Sequence, residues 1–174
     1  MHESVRDWVM RNTRKVADTA TVLEVGSANV NGSVRDLFAG KYTGIDHQEA
    51  DGVDLVASSH DLAELFDPDS FDLVLCLEML EHDPNPFVTV QQIAGVVKPG
   101  GTVILTARGV GFPEHNKPDL WRFMKDGMRA LIDAAGLTLV RLEDDPQVSG
   151  WFVVATKPEA AEVPKPAARK KKAA

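Results

Sequence analysis

The stretch Thr21–Val34, TVLEVGSANVNGSV, decides how this chain folds. Val22, Leu23 and Val25 form a short apolar run of the kind buried on both faces of a parallel sheet. The run stops at Gly26-Ser27, and apolar residues at helical spacing (Val34, Leu37, Phe38) begin just past Asn31-Gly32-Ser33. A strand, a Gly/Ser/Asn loop and a helix start make a cradle in which outward N–H groups and the helix dipole receive a polar ligand. Twenty residues beyond Gly26, a second run, Tyr42-Thr43-Gly44-Ile45, ends in Asp46. In nucleotide-binding α/β folds an acidic residue near that spacing holds a ribose hydroxyl pair.

Working outward, residues 3–18 have the pattern of an amphipathic helix with Val5, Trp8, Val9 and Val16 on one face, either covering the sheet or lidding the site. The helix after the glycine loop is expected to end at Gly40. Beyond the second strand only Asp46–Gly52 precedes a third, Val53–Val56. A crossover helix needs a dozen or more residues, so this connection is a bare loop or the third strand is short. Leu62, Leu65 and Phe66 repeat at helical spacing, and Phe71–Leu77, FDLVLCL, has the character of a buried central strand. Asn85-Pro86 supplies an N-cap and a first-turn proline to a helix that buries Phe87, Val90, Ile93, Ala94 and Val97. LysProGlyGly at 98–101 is expected to turn the chain into a fifth strand, Thr102–Thr106. A helix through Met124, Met128, Leu131, Ile132 and Ala135 then closes at Gly136. Leu137–Leu142 and Trp151–Thr156 are joined too briefly for a parallel crossover and should form an antiparallel hairpin. The whole pattern is α/β, a doubly wound sheet with one reversed strand.

A length of 174 residues, 44% of them hydrophobic and 26% charged, fits one globular domain. No apolar run is long enough to span a membrane, and His2, Glu3, Arg6 and Asp7 make the N-terminus too charged for a signal peptide. A single cysteine, Cys76, excludes an internal disulfide and favours a reducing compartment, so a cytoplasmic location is expected. The net charge of −7 divides into +4 on residues 157–174 and −11 on residues 1–156. An acidic body is a poor nucleic-acid surface, since phosphate affinity comes mostly from Lys and Arg. The Ala/Pro/Lys-rich stretch 157–174 is expected to be a disordered tail, and its Arg169–Lys172 end is the one feature that suits nucleic acid.

Four segments, VLEVGS (22–27), YTGID (42–46), FDLVLCLEMLEH (71–82) and VVKPGGTVIL (96–105), resemble in order and spacing the motifs of class I S-adenosylmethionine-dependent methyltransferases. The resemblance spans roughly residues 20–156 and implies a methyltransferase domain over 1–156, with an N-terminal helix in 1–19. It also implies a seven-stranded sheet of order 3-2-1-4-5-7-6 with strand seven antiparallel. S-adenosyl-L-methionine would lie across the C-terminal ends of strands one, two and four. Ala28 and Val30 stand where the usual Glu/Asp-x-Gly-x-Gly-x-Gly loop has its later glycines, which resembles a variant opened by Asn-Gly-Ser. By resemblance, Glu24 and Gly26 shape the pocket, Ser27 and Asn31 approach the methionine part, and Asp46 binds the ribose. Ser58 stands where many members have an aspartate for the adenine amino group, leaving Ser59 and His60 backbone groups to help. Cys76 and Leu77 would contribute backbone contacts, with the Cys76 thiol an ordinary core group.

Two histidines are candidates for chemistry. His82 follows strand four beside the expected methyl group, as a base or as a residue that enters the next helix. His115 opens HNKPDLWRF (115–123), which resembles an acceptor-site segment of a branch of small methyltransferases acting on sugars or metabolites. Trp121 and Phe123 alternatively pack that segment down while Arg122 pairs with Asp119. No metal is expected, since the histidines and carboxylates lack ligand spacing. Amino-directed nucleic-acid enzymes carry Asn/Asp-Pro-Pro-aromatic directly after strand four, where this chain has Leu77-Glu78-Met79-Leu80. The expected partner is therefore a small-molecule or sugar-like acceptor methylated on oxygen or nitrogen. The alternative is a cofactor-binding module without catalysis, which the altered loop and Ser58 suit.

Overall fold

The computed structural model describes residues 2–159. At its centre β1 (Thr21–Val25) runs parallel to both β2 (Lys41–Asp46) and β4 (Phe71–Leu77), with Val22 opposite Tyr42 on one side and Leu73 on the other. β3 (Leu55–Val56) lies outside β2, and β5 (Val97–Arg108) lies outside β4, both parallel. β7 (Gly150–Thr156) is antiparallel to β5, and β6 (Thr138–Asp144) forms the far edge, giving the expected order 3-2-1-4-5-7-6.

Alternation along the strands divides the core into two layers. Leu23, Val25, Val74, Cys76, Val103 and Leu105 face α2 (Leu62–Leu65), α3 (Pro86–Val96) and α4 (Lys125–Ala134), where Ile93, Met128 and Leu131 meet them. Val22, Leu73, Leu75, Ile104 and Phe152 face the other way, against Val5, Trp8 and Val9 of α1 (Glu3–Asn12). α1 thus packs on the core, and it ends at Asn12 rather than near residue 18; Val16 beyond it is partly buried against the same layer.

The main departure from expectation follows the glycine loop. No α-helix forms through Val34, Leu37 and Phe38; the chain makes one 3₁₀ turn, Arg35–Leu37, and is extended again at Phe38. Length explains this. Returning past a five-residue strand of about 16 Å takes about eleven helical residues, whereas about five extended residues suffice. Only residues 34–40 are free for the return, so the chain makes a single 3₁₀ turn and is extended at Phe38.

Both alternatives for the next connection hold. It is a bare loop, and β3 has only two paired residues, both exposed. Asn85 makes no side-chain cap at the start of α3, although Pro86 takes the first helical position. Val97 ends that helix and begins β5. The KPGG stretch is part of β5 rather than a turn before it: Gly100 donates to the Lys157 carbonyl and Lys157 donates to that of Gly101. Lys157, whose ammonium also reaches Asp69 at 2.7 Å, therefore belongs to the folded body. The rest of the expected tail beyond Glu159 lies outside the described residues. Among the described residues no helix is long and apolar enough to cross a membrane.

Candidate active site

β1, β2 and β4 end together at a narrow cleft lined by Val25, Gly26, Ile45, Asp46, His47, Ala57, Ser59 and Met79. Gly26 has φ +82°, and a side chain there would put its Cβ 2.5 Å from Met79 Cγ. Glycine is needed both for the conformation and for the space. Met79 reaches this place because Glu78 has φ +54°, which turns the chain sharply as it leaves β4.

The loop's N–H groups do not form the outward cradle expected of them. Gly26 and Ser27 both donate to the Ile45 carbonyl at 2.9 Å, Asn29 to that of Asp51, and Ala28 to Asp46 Oδ2 at 3.2 Å. With no helix to carry the loop upward, it lies on the 46–52 connection instead. Asp46 is nearly buried at the end of β2; its Oδ1 also accepts from Gln48 N–H and meets His47 Nδ1 at 2.9 Å. Ser27 is buried with its side chain against Gly44, and Asn31 is exposed on the outer loop. Glu24 is buried and accepts from the Tyr42 hydroxyl at 2.6 Å; burial, partly offset by that bond, lifts its carboxyl to about 6.

Ser58 Oγ accepts from His60 N–H and so caps its own turn. Ser59 faces the cleft, and its hydroxyl lies 2.7 Å from that of Thr89 on α3. His60 Nε2 lies 2.8 Å from Asp83 Oδ1. Leu77 is near the end of β4, and the Cys76 thiol points into the core, where burial pushes its pKa well up.

Beyond β4 a second constellation forms. Residues 80–82 make a 3₁₀ turn, and the segment that follows β5 folds over it: Leu120 and Trp121 N–H both donate to the Glu81 carbonyl. His82 Nδ1 lies 2.6 Å from the Pro118 carbonyl oxygen, and its ring meets that of His115 edge-on at 5.7 Å. A carbonyl only accepts, so neutral His82 carries its proton on Nδ1 and leaves Nε2 free as an acceptor. Burial and the neighbouring His82 both lower the His115 pKa. Arg122 does pair with Asp119, through two bonds of 2.5 and 2.6 Å, and also holds the Phe112 and Pro113 carbonyls. Phe123 is buried and donates its N–H to the Arg108 carbonyl, while Trp121 Nε1 donates to that of Asp83. Packing and placement of the two histidines are therefore served by the same segment. Among the described residues no group of three or more His, Cys, Asp or Glu is arranged to hold a metal.

A methyltransferase-domain family matches residues 1–141. The chain belongs to this family. Among curated relatives, it is 36% identical over 100 residues to the ubiquinone biosynthesis O-methyltransferase of Pseudomonas syringae pv. tomato, covering 49% of this chain and 43% of that protein. To the corresponding enzyme of Xanthomonas campestris it is 49% identical over 51 residues, 29% of this chain and 21% of the relative. The chain thus spans less than half the length of these relatives. Its fold resembles that of a methyltransferase solved with the Trm112 activator from Haloferax volcanii (TM-score 0.74, 20% identity, 91% and 90% of the two chains). It also resembles the 1,6-didemethyltoxoflavin N1-methyltransferase of Burkholderia thailandensis, solved with S-adenosylhomocysteine (TM-score 0.72, 17% identity, 90% and 79%).

The Burkholderia structure holds S-adenosylhomocysteine, the demethylated form of S-adenosylmethionine. The residues present fit it: a nearly buried carboxylate, Asp46, faces the cleft at the end of β2, and Ser59 lines the same cleft. Met79, His47 and Ala57 line that cleft without having been picked out from the sequence. Met79 lies within the EMLEH stretch quoted above, but only the left-handed turn at Glu78 aims it at Gly26.

Proposed function

We propose that this methyltransferase transfers the methyl group of S-adenosylmethionine to an oxygen or nitrogen of a small molecule, with His82 as the base. The acceptor sits between the 3₁₀ turn after β4 and the segment after β5. The bound sulfonium supplies an activated methyl group, so the chain's own task is alignment and management of one proton. Asp46 holds the ribose hydroxyls, with its carboxylate set by Ala28 and Gln48 N–H. Glu24, Gly26, Ser27 and Asn31 border the methionine part. Ser58, Ser59 and His60 border the adenine, and Cys76 and Leu77 contribute backbone.

The observation that carries this reading is the His82–His115 pair. His82 has its Nδ1 proton committed to Pro118, which leaves Nε2 to take a proton from a hydroxyl or ammonium. His115, its pKa lowered by burial and by the neighbouring His82, contacts His82 edge-on and serves as the acceptor ligand. The O-methyltransferases among the relatives favour a hydroxyl acceptor, and phenols and catechols are the first panel to try.

With methyl-tritiated cofactor and an accepted phenol, His82→Ala should lower turnover by about 10²–10⁴ while S-adenosylhomocysteine affinity stays within a few-fold. His115→Ala should act chiefly through KM. Wild-type turnover in both variants overturns the assignment. The shortened crossover after β1 favours a second reading, a cofactor-binding module without transfer. Product binding with no transfer to any acceptor would support it.

A further inference from the structure

The segment that follows β5 is closed on itself by one ion pair. The Asp119 side chain has no exposed surface; it accepts both arms of the Arg122 fork, at 2.5 and 2.6 Å, and the His115 N–H at 3.0 Å. Arg122 also donates to the Phe112, Pro113 and Trp121 carbonyls, so one guanidinium gathers both ends of residues 112–122. That guanidinium holds the Asp119 carboxyl well below the usual carboxylate range, which keeps the pair charged. The N–H groups of Leu120 and Trp121 moor the closed loop to the Glu81 carbonyl, one residue before His82. Between this mooring and the Asp119–His115 contact sits Pro118, whose carbonyl oxygen lies 2.6 Å from His82 Nδ1.

We propose that Asp119 and Arg122 are positioning residues for methyl transfer: their pair holds the Pro118 carbonyl on His82 Nδ1 and so keeps His82 Nε2 bare for the acceptor's proton. A neutral imidazole has one N–H to place, and the partner of one nitrogen decides the state of the other. Among the described residues the Pro118 carbonyl is the hydrogen-bond partner of the His82 ring; His115 meets that ring only edge-on. Pro118 has no N–H to anchor it, so its carbonyl is placed by its neighbours, and Asp119 is the next residue. Once the pair is broken the carbonyl is released, and the His82 proton distributes over both nitrogens. The Nε2–H form cannot take a proton from a hydroxyl or ammonium. The pair thus acts through Pro118 and His82 rather than on the acceptor, as the third member of a base-and-orienter arrangement. The inference rests on His82 as the base, as the proposed function does, but the tautomer it requires is measured without any substrate.

The test uses the full chain with isotope-labelled histidines and reads the ring nitrogens by long-range proton–nitrogen NMR at pH 8, where an ordinary imidazole is neutral. The His82 signals are those missing from His82→Gln. The wild type should show His82 almost wholly in the Nδ1–H form. Asp119→Asn removes the charge at equal size, and Arg122→Lys keeps a cation that cannot fork. In either variant the Nδ1–H fraction should fall to about half. Turnover of an accepted phenol should fall by about tenfold or more, because a misplaced ring adds to the wrong tautomer, while S-adenosylhomocysteine affinity stays within a few-fold. A merely structural pair would lower the melting temperature and leave the His82 nitrogens as they are. If Asp119→Asn does not unfold cooperatively, Arg122→Lys, the milder change, carries the test. An unchanged Nδ1–H fraction in the folded variants overturns the proposal, as does a wild-type His82 protonated on Nε2. A lost tautomer with wild-type turnover overturns instead the reading of His82 as the base, and with it the part of the pair in transfer.

Discussion

Glu81 is a fully buried carboxyl, and burial, partly offset by the Glu81 and Arg108 backbone N–H groups, lifts its pKa to about 7. A raised carboxyl pKa means that the folded protein holds the proton more tightly than the unfolded chain. Both states are protonated below the ordinary value of 4.5, so the cost of this burial is absent there and grows as pH climbs through 7. Glu81→Gln replaces the ionising group with a neutral one of equal size. Its effect on stability should become more favourable by about 2 kcal/mol between pH 5 and pH 8. Melting curves of both proteins at the two pH values measure this, and an effect that becomes less favourable with rising pH would refute it. The place of Asp46 at the end of β2 was legible in the sequence because strand-end spacing carries it. Glu81 was not, since nothing in EMLEH says which of its two glutamates turns inward. Asp83 was no more legible: its partners His60 and Thr89 come from elements separated in the chain and joined only by the fold.

Among the elements, the central strands β1 and β4 were readable because their apolar runs are buried on both faces, and the closing hairpin because its link is short. The helix expected after β1 was misleading. Val34, Leu37 and Phe38 have helical spacing, but spacing does not report how few residues remain to return the chain to β2. The start of α3 has a similar lesson. Asn85-Pro86 has the form of a cap, yet the Asn85 side chain makes no capping bond, and its N–H is instead held by Asp83 Oδ1. Asn85→Ala should therefore cost less than about 0.5 kcal/mol in urea unfolding, where loss of a working N-cap costs about 1 kcal/mol. A loss of 1 kcal/mol or more would show that the side chain does cap the helix.

For the molecule as a whole, the two sides of the sheet are covered unequally. Three α-helices cover one layer, whereas among the described residues α1 is the only α-helix on the other. Trp8 is its largest contribution, almost fully buried with its ring 5.3 Å from that of Phe152. Trp8→Ala should destabilise the protein by about 3–5 kcal/mol, the usual cost of deleting a buried aromatic ring. Chemical denaturation measures it, and a loss below 1 kcal/mol would mean that α1 is not part of the core. The claim on which the rest depends is that the cofactor occupies the cleft at the ends of β1, β2 and β4 with its ribose on Asp46. Calorimetric titration of S-adenosylhomocysteine into the wild-type protein and Asp46→Ala tests it most directly. One equivalent should bind the wild type, and the variant should bind about 1–3 kcal/mol more weakly while still unfolding cooperatively; no binding to the wild type, or equal affinity in the two, would contradict the account.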